Sequence, residues 1–146
     1  SGVDRNVAQQ CEVGRRIHDA RLVPILEPEV DITSPEKAEA EELLRTGILA
    51  HLEDIPDGQQ IMLKLSIPTV AGFYSDVMAH PKVLRVVALS GGYSRDEANE
   101  RLARNPGLIA SFSRALLEDL RVWQDEETFT ETLDHSIESI YEASTT

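Results

Sequence analysis

Residues 61–67 have the sequence IMLKLSI, which places one lysine in the middle of an otherwise apolar run. The side chains of a β-strand alternate between two faces. Lys64 therefore shares a face with Met62 and Ser66, and that face is expected to point inward or toward a ligand. Burial disfavours the charged form of a lysine, and a neutral amine can attack a carbonyl to form a Schiff base. The alternative is a lysine that extends from an edge strand into solvent.

Length and composition limit the class of protein. The chain has 146 residues, of which 41% are hydrophobic, and a formal net charge of −12. This is enough for one core, so residues 1–146 are interpreted as a single region. The acidic balance and the short apolar runs argue against nucleic-acid binding and membrane insertion. Cys11 is the only cysteine, so no disulfide can form within the chain, and a cytoplasmic location is expected.

Strand and helix patterns alternate along the chain. A leading helix is predicted over residues 3–20, and four units of a strand followed by a helix come after it. Such alternation requires parallel strands joined by helical crossovers, so the fold class is α/β. Four units form either a small open sheet or half of a (β/α)8 TIM barrel. The predicted strands are 22–26, 61–67, 83–89 and 107–112, and the helices that follow them begin near residues 34, 70, 94 and 113. Ser34 is predicted to be the N-cap of the first of these helices, and Ser94, with Glu97 three residues later, to form a capping box.

Polar residues gather where the predicted strands end, and this favours the barrel, because (β/α)8 barrels build their active sites on that face. The first strand ends in Glu27 and Glu29, whose side chains point the same way as Ile25 if the segment is extended. Two carboxylates beside an amine can supply general acid and base steps. A solvated loop is the alternative interpretation of this pair. The other polar residues at strand ends are Lys64, Ser66, Ser90, Ser111 and Ser113.

Two later segments have the features of an anion site. Ser90, Gly91 and Gly92 lie between a strand and a helix, where a glycine-containing backbone can approach an anion closely. Ser113 and Arg114 follow the last strand at the predicted beginning of a helix, and an arginine can bind a phosphate with two parallel hydrogen bonds. Phosphate sites in (β/α)8 barrels lie in the loops after strands 7 and 8, the last two strands, and these two segments also follow the last two predicted strands. A tight turn and an ordinary surface arginine are the alternatives.

Several other features predict structure rather than chemistry. The four histidines fall away from the strand ends without the spacing of metal ligands, so no metal is expected. The sequence also has no Gly-rich dinucleotide or P-loop motif, so no other cofactor is expected. The acidic runs at 41–42 and 125–127 are expected to be solvated helix faces. Residues 143–146 are expected to be a frayed end.

Four segments resemble motifs of the class I fructose-bisphosphate aldolases, specifically their bacterial branch. They are LVPILEPEVD at 22–31, MLKL at 62–65, LSGGYS at 89–94 and ASFSRAL at 110–116, and they occur in the family's order. The resemblance extends from about residue 7 to residue 141. It implies reversible cleavage of fructose 1,6-bisphosphate to dihydroxyacetone phosphate and glyceraldehyde 3-phosphate, in glycolysis and gluconeogenesis.

The resemblance also implies roles for individual residues. Lys64 would form the Schiff base, Glu27 would handle its protons and Glu29 would be the accompanying carboxylate. No metal would be needed, because class I enzymes use the iminium as the electron sink. The residues implied to hold a substrate phosphate are Ser90, Gly91, Ser113 and Arg114.

Family members are considerably longer than this chain and form a complete barrel, so the chain is expected to supply its second half, strands 5 to 8. The other half would carry a catalytic aspartate and an active-site lysine. An inner sheet face with Ile25, Met62 and Val86 would then need a cover, either the N-terminal half or a second copy in a homo-oligomer. Two functional alternatives are a Schiff-base aldolase for another sugar phosphate and a non-catalytic fragment that binds sugar phosphate or self-associates.

Overall fold

The computed structural model describes residues 2–146, in which five helices alternate with four strands. This order confirms the predicted α/β class. None of these helices is both long and apolar enough to cross a membrane. The elements are α1 Gly2–Asp19, β1 Ile25–Leu26, α2 Lys37–Leu52, β2 Ile61–Ser66, α3 Ser75–Ala79, β3 Val83–Leu89, α4 Arg95–Ala103, β4 Ile109–Ala110 and α5 Glu126–Ala143.

The four strands form one parallel sheet in the order β1-β2-β3-β4. The strand order follows the chain without reversal, as in a (β/α)8 barrel, whereas a doubly wound sheet reverses at a switch point. β2 and β3 form the long central pair. The outer strands β1 and β4 contain two residues each and are shorter than the predicted 22–26 and 107–112. Parallel pairing and sequential order are thus compatible with half of a barrel.

The core lies between one face of the sheet and the helices. Leu63 and Leu65 of β2 are fully buried there, and Leu44, Ile48 and Leu52 of α2 belong to the same core. Full burial of each such aliphatic side chain contributes about 1.5–3 kcal/mol relative to exposure. Because this packing fixes one face of β2, the other face presents its side chains in a defined position.

The first half of β3 contains a register shift that the sequence pattern did not indicate. Met62 pairs with Arg85 and Leu63 with Val86, while Leu84 is skipped in the pairing. An extra residue of this kind reverses the alternation that follows it. The prediction that Val86 lies on the inner face is therefore wrong: Val86 is buried in the helical core. Arg85 takes the inner position beside Met62.

One of the two predicted helix caps forms, and the other does not. The Ser94 hydroxyl accepts from the backbone N–H of Glu97 and caps α4 as predicted, and Asp125 caps α5 through the N–H of Thr128. Ser34 was predicted to cap α2, but that helix begins only at Lys37. Ser34 instead accepts from the backbone N–H of Glu36 at 3.2 Å. A local serine turn thus competes with the helix start.

The segment after β4 does not form the predicted helix at Ser113. Residues 114–119 form turns, with a single helix-like hydrogen bond from the Leu117 N–H to the Ser113 carbonyl at 3.1 Å. The turns are held from outside, because the backbone N–H of Arg95 donates to the Glu118 carboxylate at 2.6 Å and the Arg95 guanidinium pairs with Asp119. No helix dipole therefore contributes to an anion site at this position.

The end of the chain is ordered by contacts with β4, so the prediction of a frayed terminus is wrong. Ala143 is buried. The Ser144 hydroxyl accepts from the Ala110 N–H at 3.1 Å, and the Thr146 carbonyl accepts from the Gly107 N–H at 3.3 Å. These bonds satisfy one backbone N–H on the edge of β4 and one in the turn before it, and they hold the terminal residues against the sheet.

One acidic side chain predicted on a solvated face is buried. Glu41 is 2% exposed and pairs with Lys37, its i,i+4 neighbour on the apolar side of α2. Lys37 also donates to the Ile67 carbonyl at 2.9 Å and to the Thr69 hydroxyl at 3.1 Å, while Glu41 accepts from the Thr69 N–H at 3.0 Å. Buried charges persist where such partners exist. Here they anchor the connection that follows β2.

Candidate active site

All seven side chains or loop residues predicted for the site lie around one open cleft. The cleft has a volume of about 190 Å³ and lies where the four strands end. Because parallel strands bring their carboxyl ends to one edge, residues more than eighty positions apart in the chain meet here. Leu89 and Ser111 complete the lining. The seven predicted residues are Glu27, Glu29, Lys64, Ser90, Gly91, Ser113 and Arg114.

The amine of Lys64 lies beside a carboxylate. Its Nζ atom is 3.1 Å from Oε2 of Glu27, and the two side chains are 27% and 53% exposed. Lys64 therefore points to the inner face, as predicted, although it stands at an open cleft and not in a dry pocket. The distance is short enough for direct proton exchange between the two groups.

The chain has three lysines, all within residues 2–146, and only Lys64 reaches this cleft. Lys37 is buried and engaged with Glu41. Lys82 lies in the turn before β3, where its amine donates to the Glu53 carbonyl at 3.3 Å. Of the three lysines of this chain, Lys64 is therefore the one whose amine is placed to act in the cleft.

The two predicted carboxylates share one side of an extended segment. Glu27 and Glu29 are exposed, while Pro28 and Val30 between and after them are buried. The alternation expected of a strand thus continues past the end of β1 at Leu26. Both carboxylates line the cleft, and Glu27 is the one within reach of the lysine.

The loop after β3 depends on glycine. Gly91 and Gly92 have φ angles of 65° and 109°, which side-chain-bearing residues rarely adopt. A Cβ atom on Gly91 would also come within 2.8 Å of Cγ2 of Ile32. The turn is closed by a hydrogen bond from the Tyr93 N–H to the Ser90 carbonyl at 3.0 Å. The backbone can follow this tight course only without a side chain at residue 91.

Arg114 comes from the next unit and lies next to this loop. Its Nη1 atom is 3.9 Å from the position that a Cβ atom on Gly92 would occupy. The arginine is exposed, so its guanidinium is accessible to a ligand. The loop and Arg114 together have the composition of a phosphate site, with backbone N–H groups and a fork of charged donors.

Histidines do not contribute to the cleft. His18 and His51 lie on α1 and α2, His135 on α5, and His80 in the turn before β3, where its Nε2 atom is 3.5 Å from a Glu53 oxygen. Within residues 2–146, no group of three or more His, Cys, Asp or Glu side chains is arranged to hold a metal ion. The predicted independence from metals and cofactors stays a prediction.

Three curated proteins match the chain along nearly its whole length. Fructose-bisphosphate aldolase class 1 of Clostridium acetobutylicum is 58% identical over 99% of this chain. The proteins of the same name from Synechocystis sp. and Porphyromonas gingivalis are 56% and 54% identical over 100% and 98% of it. This chain is a homologue of the class 1 fructose-bisphosphate aldolases. The family resemblance expected from the four motifs is thereby confirmed.

The match covers nearly all of this chain but only about half of each aldolase. The chain spans about half of the curated relatives it matches, 49%, 49% and 48% of their lengths. No family model matches the chain. The region shared with the aldolases includes every residue that lines the cleft.

The structure adds residues that pattern reasoning missed or misplaced. Ser66 was counted among the polar residues of the cleft, but it is 1% exposed and bonded to the backbone of Val30. Gln10 of α1 accepts from the Glu27 N–H at 2.8 Å, and no feature of the sequence pointed to it. Ile32, which packs over Gly91, is a third such residue. Each of these three residues contacts a residue far away in the chain, and local periodicity does not predict such contacts.

Proposed function

We propose that the protein to which this chain belongs is a Schiff-base aldolase that reversibly cleaves fructose 1,6-bisphosphate to dihydroxyacetone phosphate and glyceraldehyde 3-phosphate. The observation that carries the proposal is the Lys64–Glu27 pair at 3.1 Å in a cleft that also contains Ser90, Gly91 and Arg114. The high identity to class 1 fructose-bisphosphate aldolases supports the choice of substrate.

In the proposed reaction the neutral Lys64 amine attacks the ketone carbon of the substrate. A carboxylic acid gives a proton to the resulting hydroxyl, which leaves as water, and an iminium remains. Glu27, whose carboxylate lies 3.1 Å from the Lys64 amine, is the proposed source of this proton. A carboxylate, such as the deprotonated Glu27, then takes the proton of the hydroxyl that becomes the aldehyde, while the iminium accepts the electron pair of the breaking carbon–carbon bond. Protonation and hydrolysis of the resulting enamine release the ketone product and restore the amine.

The other part of the cleft would bind a substrate phosphate. The backbone after Ser90 is free of side chains at Gly91 and Gly92, and the Arg114 guanidinium lies beside it. Backbone N–H groups and an arginine fork are the donors that phosphate oxygens prefer. Ser113 adds a hydroxyl at the same rim of the cleft. This contact would hold the ketone carbon within reach of Lys64.

We also propose that the chain forms the second half of a (β/α)8 barrel in the cytoplasm, covered by the N-terminal half of the same protein or by a second copy. Within residues 2–146, β1 and β4 each pair on one side only. An apolar groove of about 490 Å³ runs along β4 and α5, with Phe112, Ile137 and Ile140 in its lining. Unpaired strand edges and apolar grooves of this kind need a partner.

The decisive experiment is borohydride reduction of the complete protein in the presence of dihydroxyacetone phosphate, followed by peptide mapping. A stable adduct is expected on Lys64, and cleavage activity is expected to survive chelation by EDTA. An adduct on Lys82 with Lys64 unmodified, or loss of activity that zinc restores, would contradict the proposal.

A second candidate is a non-catalytic fragment that binds sugar phosphate, and the half-length match favours it for the isolated chain. The catalytic aspartate expected in the other half would be missing. Turnover measured with the 146-residue chain alone and with the complete protein separates the two candidates. We expect activity from the complete protein and little or none from the isolated chain. A Schiff-base aldolase for another sugar phosphate would show the adduct but a different preferred substrate.

A further inference from the structure

The hydroxyl of Ser66 makes two hydrogen bonds to one residue. Its Oγ atom accepts from the Val30 N–H at 2.9 Å and donates to the Val30 carbonyl at 2.8 Å. Ser66 is 1% exposed, so these bonds form away from competing water. A single side chain thus satisfies both backbone groups of a residue that is 36 positions away in the chain.

The segment that Ser66 holds is the one that bears the two carboxylates. Residues 27–30 lie beyond β1, which pairs with β2 only at Ile25 and Leu26. No sheet hydrogen bonds therefore fix this segment. Its beginning is held by Gln10, which accepts from the Glu27 N–H at 2.8 Å, and its end is held by Ser66. Without Ser66, packing of Pro28 and Val30 would still hold the end of the segment, but no hydrogen bond would fix its backbone there.

Ser66 is also on the same strand as the lysine. It follows Lys64 by two residues in β2, whose pairing with β3 continues through both positions, opposite Val87 and Leu89. Lys64 and Ser66, which holds the carboxylate segment, thus lie on the same paired stretch of β2. Ser66 therefore ties the end of the carboxylate segment to the strand that bears the amine.

We propose that Ser66 is a positioning residue that holds Glu27 and Glu29 in register with Lys64. This inference rests on the proposed aldolase function. A displacement of about 1 Å from the reactive arrangement can cost on the order of a hundredfold in rate. Substrate binding through Ser90, Gly91 and Arg114 does not pass through Ser66, so loss of the hydroxyl lowers kcat and leaves KM nearly unchanged.

The test compares Ser66→Ala and Ser66→Thr in the complete protein. Ser66→Ala is expected to lower kcat about tenfold to a hundredfold with KM within about twofold of wild type. Ser66→Thr keeps the hydroxyl and is expected to recover most of the lost kcat. Ser136→Ala is the matched control, because Ser136 is equally buried, also makes two side-chain hydrogen bonds and does not line the cleft. Its kcat is expected to stay within about twofold of wild type.

Thermal unfolding of each variant separates a positioning role from a purely structural one. The proposal predicts that Ser66→Ala remains folded at the assay temperature while its kcat falls. Wild-type kcat in folded Ser66→Ala, an equal fall in Ser136→Ala, or no recovery in Ser66→Thr would overturn it. If Ser66→Ala does not fold, a kcat of Ser66→Thr as low as about one hundredth of wild type overturns it as well. A complete wild-type protein that neither turns over substrate nor forms the Lys64 adduct would overturn the aldolase function, and the inference with it.

Discussion

The two sides of the cleft are built in different ways. The amine side, defined as Glu27, Glu29 and Lys64, places side chains on β2 and on a segment anchored to β2. The phosphate side, defined as Ser90, Gly91, Ser113 and Arg114, consists of loop backbone and of side chains from turns. Proton and bond transfer need distances fixed within fractions of an ångström, whereas attraction of a phosphate falls off gradually with distance. In the proposed reaction, the rigid part of the fold would therefore carry the chemistry, and the loops would bind the phosphate.

The strongest test of this division is the loss of the amine. Lys64→Arg keeps a positive charge but removes the group able to form a Schiff base, so kcat of the complete protein should fall at least about a thousandfold. Binding of a phosphate ligand should persist, and isothermal titration with inorganic phosphate can measure it. Lys82→Arg, a lysine outside the cleft, is the control and should be as active as wild type. Equal loss in both variants would contradict the division.

Replacement of the neighbouring carboxylate, Glu27, is expected to cause the second-largest loss of activity. Glu27→Gln keeps the shape of the side chain but cannot exchange protons with the amine, so kcat should fall about a hundredfold or more with little change in KM. Glu29→Gln should lower kcat less, because within residues 2–146 Glu29 forms no ion pair with Lys64. Steady-state kinetics with Glu39→Gln, on the exposed side of α2, provides the reference. A larger effect at Glu29 would reverse the assignment of the two carboxylates.

Substitutions on the phosphate side should raise KM more than they change kcat. Arg114→Ala removes a charge-assisted hydrogen bond, which contributes roughly 1.5–3 kcal/mol, or about a ten- to hundredfold rise in KM for the bisphosphate. The kcat at saturating substrate should change only a few-fold. Arg104→Ala removes another exposed arginine, one that pairs with Glu100 on α4, and should leave KM unchanged. An unchanged KM in Arg114→Ala would mean that Arg114 is an ordinary surface residue and does not bind the substrate phosphate.

The smallest effect is expected from an ion pair outside both sides. Hydrogen bonds from the Arg45 guanidinium, at 2.6–3.1 Å, lower the pKa of Asp76 below its ordinary value. A lowered pKa in the folded state stabilises the protein above the unfolded-state pKa of about 4, and this stability is lost as the pH falls through the folded-state pKa. Because the pair is partly exposed, the contribution should be below about 1 kcal/mol.

Thermal unfolding at two pH values measures this contribution. Asp76→Asn should melt slightly below wild type at pH 7, and the difference should shrink as the pH falls below about 4, where the unfolded-state carboxylate takes up a proton before the folded-state one does. Cleavage activity at pH 7 should not change, although this pair is shorter than that of Lys64 and Glu27. A difference that grows toward low pH would mean that the sign of the linkage is wrong.

Local patterns predicted the parts of the fold that depend on local physics. β3 occurs at Val83–Leu89 as predicted, because a run of β-branched and apolar residues has few alternatives to a strand. The Ser94 cap and the glycine turn at residue 91 were also predicted from neighbouring residues. The helix expected at Ser113 failed because Arg95, eighteen positions earlier in the chain, holds that segment in turns. The pattern of apolar residues in a short segment cannot predict a contact with a residue so far away in the chain.

The sequence by itself determined which residue types stand at the strand ends and which way most of them face. Alternation in β2 sets the direction of Lys64, and four parallel strands bring their ends to one edge. Only the tertiary structure decided which of these residues meet. It turned Ser66 toward Val30, placed Arg114 beside Gly92 and buried Glu41 against Lys37. The physical reason is that facing direction follows from backbone dihedral angles of adjacent residues, whereas partners follow from packing between elements far apart in the chain.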